Sequence, residues 1–158
     1  MMGTKERYFK QHGQISLESL VPKDHFYRQL EAKLDLSFVR DLVKATYCAN
    51  NGRPSVDPIV FFKLQLIMFF EDFRSERQLI QHVSMNMALR WYIGYDLDET
   101  IPSTSTLSRL RDRYGVKVFI QFFEQIVHLC WQTGLIWGKE QHIDTSFVRA
   151  NAAYDNQA

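Results

Sequence analysis

The chain has 158 residues, a length typical of one domain or of two small ones. Hydrophobic residues make up 46% of it, and its 12 phenylalanines add to an apolar surface large enough for a folded core, which excludes a disordered chain. The formal net charge is +1, so bulk charge does not indicate a nucleic-acid-binding protein, and such a function has to rest on a local basic patch.

The cysteines and the N-terminus indicate neither export nor a metal site. Cys48 and Cys130 form no CxxC motif and no zinc spacing with histidine, so we interpret them as two buried thiols in a reducing cytoplasm. The N-terminus is charged and lacks the apolar core of a secretory signal. The longest apolar run, 59–70, is too short to span a bilayer, which needs about 20 residues. We therefore expect a cytoplasmic protein with no membrane partner.

Two helices are predicted before a break rich in asparagine, glycine and proline. Apolar spacing predicts the first over about 24–34, with Asp24 as its N-cap, and the second over about 37–47. After the break, Asp57 followed by Pro58 is a strong start signal for a helix that runs to about residue 70. Because this third helix is apolar almost all round, we expect it at the centre of a bundle.

Shorter helices follow. Ser75 begins one that ends near Val83, and Gln78 is placed to complete a capping box with that serine. Asn86 caps the next short helix, and Gly94 terminates it.

Two more helices complete the helical part. One begins on a run of hydroxyl residues at 103 and ends at Gly115, and the last runs from 116 to about 133. Gly134 occupies the position of a C-terminal glycine cap.

The pattern changes after Gly134. Residues 140–150 alternate in part, with Ile143 in opposite phase to Asp144, as is typical of a strand. The sequence therefore predicts an all-α bundle of about six helices with a helix-turn-helix-like segment, followed by a short C-terminal β segment. We place a helical domain at 1–134 and the start of a second domain at 135–158.

The helix that starts at 103 carries the clearest pattern for binding DNA. Hydroxyl groups and open backbone N–H groups at a helix start bind phosphate, and arginines add charge or contacts to bases. The short helices before it suit a helix-turn-helix reader, although a solvated basic helix face would give the same pattern. The residues expected to contact DNA are Ser105, Thr106, Arg109, Arg111, Arg113, Arg90 and Lys117.

Two acidic groups are less specific. Asp96, Asp98 and Glu99 lack calcium-loop spacing, so we interpret them as a solvated acidic loop. Asp144 and His142 face the same side of the predicted strand, but a lone strand aspartate is also explained by a turn or by an ion pair with a nearby arginine.

Four motifs in combination link the chain to a known family. They read GRPSVDP before an apolar helix, RWYIGYDLDE after a short helix, STLSRLRDRYG, and DTSFVRANA. The sequence from about Lys5 to the C-terminus resembles the N-terminal part of bacterial insertion-sequence DDE transposases, those with the InsH-like N-terminal domain.

The resemblance implies a function and a partial catalytic site. In that family the helical region is associated with recognition of terminal inverted-repeat DNA, and the Asp of the last motif is the first of three catalytic acids in a ribonuclease-H-like sheet. Asp144 is therefore expected to be that first acid and, in a complete protein, a ligand of Mg²⁺. Two-metal chemistry needs further carboxylates, so we expect a chain truncated just after the first acid, without a bound cofactor and unable to cut DNA alone.

Two alternatives remain open from the sequence. The chain could be one piece of a split DDE enzyme, completed by a second polypeptide that carries the other acids. It could also be a helical interaction fragment that forms a homo-oligomer or joins an intact transposase, because an unpaired strand edge recruits partners.

Overall fold

The computed structural model describes residues 2–10, 13, 15–48 and 55–134. Within these ranges the protein is all-α, as predicted, with seven α-helices and a 3-10 turn at Lys44–Thr46 after the third. The helices are α1 (Leu17–Leu20), α2 (Phe26–Lys33), α3 (Phe38–Val43), α4 (Pro58–Phe70), α5 (Glu76–Met85), α6 (Met87–Ile93) and α7 (Thr104–Gln132).

Helix α4 forms the centre of the bundle, as its sequence predicts. Asp57 is its N-cap, and the carboxylate accepts a hydrogen bond from the Ile59 backbone N–H at 2.9 Å. The helix packs against α3, α5 and α6. Its Phe62 ring also meets the Phe122 ring of α7 with 4.3 Å between centroids. Only the last turn emerges from the core, where Phe69 and Phe70 are exposed.

Charged side chains fasten the N-terminal segment to this core. The Arg7 guanidinium lies 4.1 Å from the centroid of the Trp91 ring and 2.8 Å from the Glu31 carboxylate. On its other side Glu31 meets the Lys63 ammonium group of α4 at 2.6 Å, and Lys63 also donates to the Tyr92 carbonyl at 2.9 Å. Burial lowers the pKa of Lys63, and the Glu31 carboxylate opposes that shift. Arg7 and Lys63 together neutralise the Glu31 carboxylate, whose charge would otherwise be costly to bury.

The caps of the shorter helices largely follow the sequence. Asn86 accepts from the Ala88 and Leu89 N–H groups, and Gly94 ends α6 with a left-handed φ of 76°. Ser75 caps α5, but the reciprocal bond that the capping box predicted runs from Arg74 N–H to Gln78, one residue away.

Three local predictions are wrong. The N-cap of α2 is His25, whose Nδ1 accepts from Tyr27 N–H at 3.2 Å, and not Asp24. The second helix ends at Val43 and tightens into the 3-10 turn, short of the predicted residue 47. Cys48 is exposed and Cys130 is half-buried, so the prediction of two buried thiols also fails.

Gly115 divides α7 into two halves, as the sequence predicts. Its backbone has φ 70° and ψ 170°, which breaks the helical geometry between residues 104–114 and 116–132. A side chain at this φ would be strained, so glycine suits the position. The two halves of α7 present different side chains to solvent.

Among the described residues, no helix combines the length and the apolar character that crossing a bilayer requires.

Candidate nucleic-acid interface

The first half of α7 is held rigidly on the bundle. Leu107, Leu110 and Tyr114 are buried on its inner side. The Tyr114 hydroxyl lies 2.5 Å from the Tyr47 hydroxyl, and its ring stacks on Phe62 with centroids 5.7 Å apart. Burial, followed by the hydrogen bond with Tyr47, raises the pKa of Tyr114. The inner side thus fixes which residues of this half face outward.

Hydroxyl groups cluster at the start of α7. Ser103 is the N-cap, and its Oγ accepts from the Thr106 backbone N–H at 3.3 Å. The same oxygen lies 3.0 Å from Ser105 Oγ and 3.0 Å from Thr106 Oγ1. Three hydroxyls and the first N–H groups of the first half of α7 therefore meet at one point, which is a suitable environment for a phosphate oxygen.

Two of the predicted arginines share the outer face with these hydroxyls. Arg109 is exposed, and its Nε donates to the carbonyl of Ser105, one turn back, at 3.2 Å. Arg113 is also exposed, and its guanidinium lies 5.2 Å from the centroid of the Tyr47 ring. The two arginines are four residues apart, so they differ by only about 40° around the helix. We call Ser105, Thr106, Arg109 and Arg113 the basic surface.

Arg111 points elsewhere. It is two residues from Arg109, about 200° around the helix axis, and its guanidinium pairs with the Glu76 carboxylate of α5 at 2.9 Å. The Glu76 side chain is only 11% exposed. Burial raises the pKa of Glu76, and the Arg111 guanidinium opposes that shift. Arg111 therefore joins α5 to α7 and contributes less free charge than its position in the sequence suggested.

Arg90 belongs to α6, and its half-buried side chain reaches into the turn after that helix. Its guanidinium donates to the carbonyls of Ser84, Asp96 and Glu99 at 2.9, 2.6 and 3.1 Å. These bonds give it a structural role in closing the turn, so the basic surface does not include it. Lys117 is exposed, but it lies beyond the break at Gly115, on the second half of α7.

Two of the three acidic residues after α6, Asp96 and Glu99, are not solvated as the sequence indicated, whereas Asp98 is exposed. Asp96 is 2% exposed and accepts a hydrogen bond from the Lys10 backbone N–H at 2.7 Å. Glu99 accepts from the Asp96 N–H at 2.8 Å and pairs with the Lys5 ammonium group at 3.1 Å. The interpretation failed because the partners come from the N-terminal segment, about 90 residues away.

Sequence reasoning missed two further arginines. Arg74 and Arg77 flank the start of α5 and are exposed. Glu76 lies between them in the chain and is tied to α7 through Arg111. The signal in the sequence was the run RSER, which places three charges in four residues.

The predicted catalytic acid, Asp144, and its neighbour His142 lie outside the described residues. So does the predicted β segment. Within the part of the chain that the structure describes, no group of three or more His, Cys, Asp or Glu side chains is placed to hold a metal ion.

Comparison with known proteins gives one match. A family model described as a transposase domain, DUF772, matches residues 15–113. The matched range begins before α1 and includes all four residues of the basic surface. Searches of curated proteins and of solved structures find no match.

Proposed function

The chain belongs to the transposase domain (DUF772) family, and from that premise we propose that its helical part binds the DNA ends of a mobile element. The basic surface carries this proposal. Its hydroxyl residues, Ser105 and Thr106, lie beside the N-cap Ser103 and share a helix face with two exposed guanidinium groups, a combination that suits contact with a phosphate backbone.

Charge supports contact with phosphate more strongly than recognition of bases. The exposed first half of α7 has Arg109 and Arg113 against a single nearby acid, Asp112. Positive and negative charges in the rest of the chain nearly balance, because the formal net charge of the whole chain is only +1. A local patch of this size gives binding that is electrostatic and weakens with salt. Any preference for a sequence depends on how the first half of α7 fits a groove.

The proposal is tested by fluorescence anisotropy with two labelled duplexes. One carries the terminal inverted repeat of the element, and the other has the same composition in shuffled order. We expect the logarithm of the binding constant to fall linearly with the logarithm of the salt concentration for both, and tighter binding to the inverted repeat. Absence of binding at low salt, or binding that does not change with salt, would contradict the proposal.

The role of Asp144 as the first acid of a DDE site, with Mg²⁺, is a separate proposal that rests on the sequence resemblance. A two-metal site needs further carboxylates beside it to clamp the attacking and leaving oxygens. We expect Asp144→Asn to leave DNA binding unchanged, because the position lies outside the basic surface. The same substitution should abolish Mg²⁺-dependent cleavage wherever the other acids are supplied, in the same chain or in trans. Cleavage of a labelled duplex that persists in Asp144→Asn would remove Asp144 from the site.

A further inference from the structure

The second half of α7 has apolar side chains over a wider arc than the bundle covers. Phe122 and Ile126 are buried against the other helices. A second row lies beside them and is exposed, and at about 100° per residue its members fall within an arc of about 80°. This row, which we call the apolar seam, consists of Val116, Ile120, Phe123, Val127 and Trp131.

The apolar seam is not a scatter of single exposed residues. Val116 and Trp131 at its two ends are 77% and 66% exposed. Polar side chains are confined to the remaining side of the helix. They are Lys117, Gln121, Glu124, Gln125, His128 and Gln132. A helix on the surface of a globular protein needs an apolar stripe of about 100°, whereas this half has about twice that. An uncovered apolar row of this length marks an interaction surface.

We propose that residues 135–148 of the same chain cover the apolar seam. The segment begins where α7 ends. Helix α7 ends with Thr133 N–H donating to the Leu129 carbonyl at 2.9 Å and Gly134 N–H donating to the Trp131 carbonyl at 3.2 Å. Gly134 has a φ of 68°. A left-handed glycine after a helix turns the chain away from the helix axis, so the segment leaves next to Trp131, the last residue of the seam.

Residues 135–148 suit the apolar seam in length and composition. From Val116 to Trp131 the helix rises about 22 Å, at about 1.5 Å per residue. An extended chain covers that distance in about seven residues, and 14 are available from 135 to 148. The apolar residues of the segment are Leu135, Ile136, Trp137, Ile143, Phe147 and Val148. They suit an apolar surface, and the charged residues of the segment are Lys139, Glu140 and Asp144.

A second copy of the chain would compete with this segment for the apolar seam. A segment tethered next to the seam has an effective concentration on the order of millimolar. A second copy competes only at its concentration in solution, which is lower under ordinary conditions. The same-chain segment is therefore favoured unless its own contacts are much weaker.

The arrangement also orients the predicted strand. Ile143 and Phe147 share one face of it, and Asp144 lies on the other. Packing of Ile143 and Phe147 on the apolar seam would direct Asp144 away from the helical bundle. Packing on the apolar seam thereby sets the direction in which Asp144, the candidate catalytic acid, faces.

The test is covalent footprinting of side chains in the full chain, read by mass spectrometry. Labelling of each residue is normalised to the same residue in the unfolded chain. We expect the seam residues to be labelled several-fold less than Phe69 and Met85, which are 68% and 87% exposed. The result should be the same at two protein concentrations about a hundredfold apart, a range over which a bimolecular contact would change greatly.

Matched variants identify the occupant. Ile143→Asp with Phe147→Asp should raise labelling of the seam to the level of Phe69. The control, His142→Asp with Ser146→Asp, adds the same residues on the opposite strand face and should leave the seam protected. Labelling of the seam like Phe69 in the parent chain would overturn the proposal. Protection that grows with concentration and survives Ile143→Asp with Phe147→Asp would overturn it in favour of a second copy.

Discussion

A few polar side chains join parts of the chain that lie far apart in sequence. Asp57 is the clearest example, because its buried carboxylate caps α4 and also accepts from Lys5 N–H at 2.7 Å. The same oxygen meets the Arg40 guanidinium at 2.6 Å. The cap could be predicted because Asp57 and Pro58 are adjacent. The bonds to Lys5 and Arg40 could not, because nothing local in the sequence encodes contacts across a bundle.

Asp57→Ala should therefore lower the free energy of unfolding by more than the loss of the N-cap alone. Removal of a capping oxygen costs about 1 kcal/mol, and loss of hydrogen bonds to a charged partner adds about 1.5–3 kcal/mol. We expect a total loss of about 2–4 kcal/mol in the free energy of unfolding, measured by urea denaturation. Asp57→Asn keeps the capping oxygen and should lose clearly less. Equal losses in the two variants would mean that the capping oxygen adds nothing and that the charge of Asp57 accounts for the whole effect.

The ion pair between Arg111 and Glu76 should give a pH-dependent stability difference. Burial raises the pKa of Glu76, and a carboxyl of this kind stabilises the fold less as pH rises through its folded-state pKa. Arg111→Ala removes the opposing charge and raises that pKa further. The variant should lose about 1 kcal/mol near neutral pH.

This loss should shrink in acid, where Glu76 is protonated in both proteins. The measurement is the melting temperature of parent and variant across the pH range from neutral to acidic. Arg109→Ala serves as the control, because Arg109 donates to a carbonyl of its own helix and touches no carboxylate that the structure describes. A loss in Arg111→Ala that stays constant across that range would contradict the assigned role of Glu76.

Among the helices, α4 is the one whose packing decides stability. Phe62 is fully buried among the rings of Tyr114, Phe119 and Phe122, and Leu66 is buried one turn later. Phe62→Ala or Leu66→Ala should cost about 2–5 kcal/mol, a large part of a typical domain stability of about 5–15 kcal/mol. Phe69→Ala in the same helix is the control, because that ring is mostly exposed. Similar melting temperatures for all three variants would place α4 away from the centre.

The sequence predicts helices best where both ends carry local signals. The bounds of α4 and the break at Gly115 follow from Asp57-Pro58 and from a glycine inside a helical pattern. The N-cap of α2 was misplaced by one residue because both Asp24 and His25 can accept the capping bond. Asp96 was placed in solvent because its partner, the Lys10 N–H, comes from an N-terminal segment with no helical pattern of its own.

At the scale of the whole molecule, α7 combines the two surfaces on which the proposals rest. Its first half presents the basic surface, and its second half presents the apolar seam. Gly115 separates the two by breaking one continuous helix. The sequence indicated the basic cluster, but it could not show that Arg111 is engaged by Glu76 or that only part of the apolar face of the second half is buried. Those distinctions depend on which neighbours pack against each side of α7.

The central claim, that the basic surface contacts DNA, is tested most directly by removing its two charges. In Arg109→Ala with Arg113→Ala we expect weaker binding to the inverted-repeat duplex and a log–log salt slope that is smaller by about 1.8, since each lost phosphate contact removes about 0.9. The control is Lys23→Ala with Lys33→Ala, two exposed lysines in and before α2, which should bind like the parent. If the arginine variant binds as tightly as the parent with an unchanged slope, the basic surface is a solvated helix face and the DNA contact lies elsewhere.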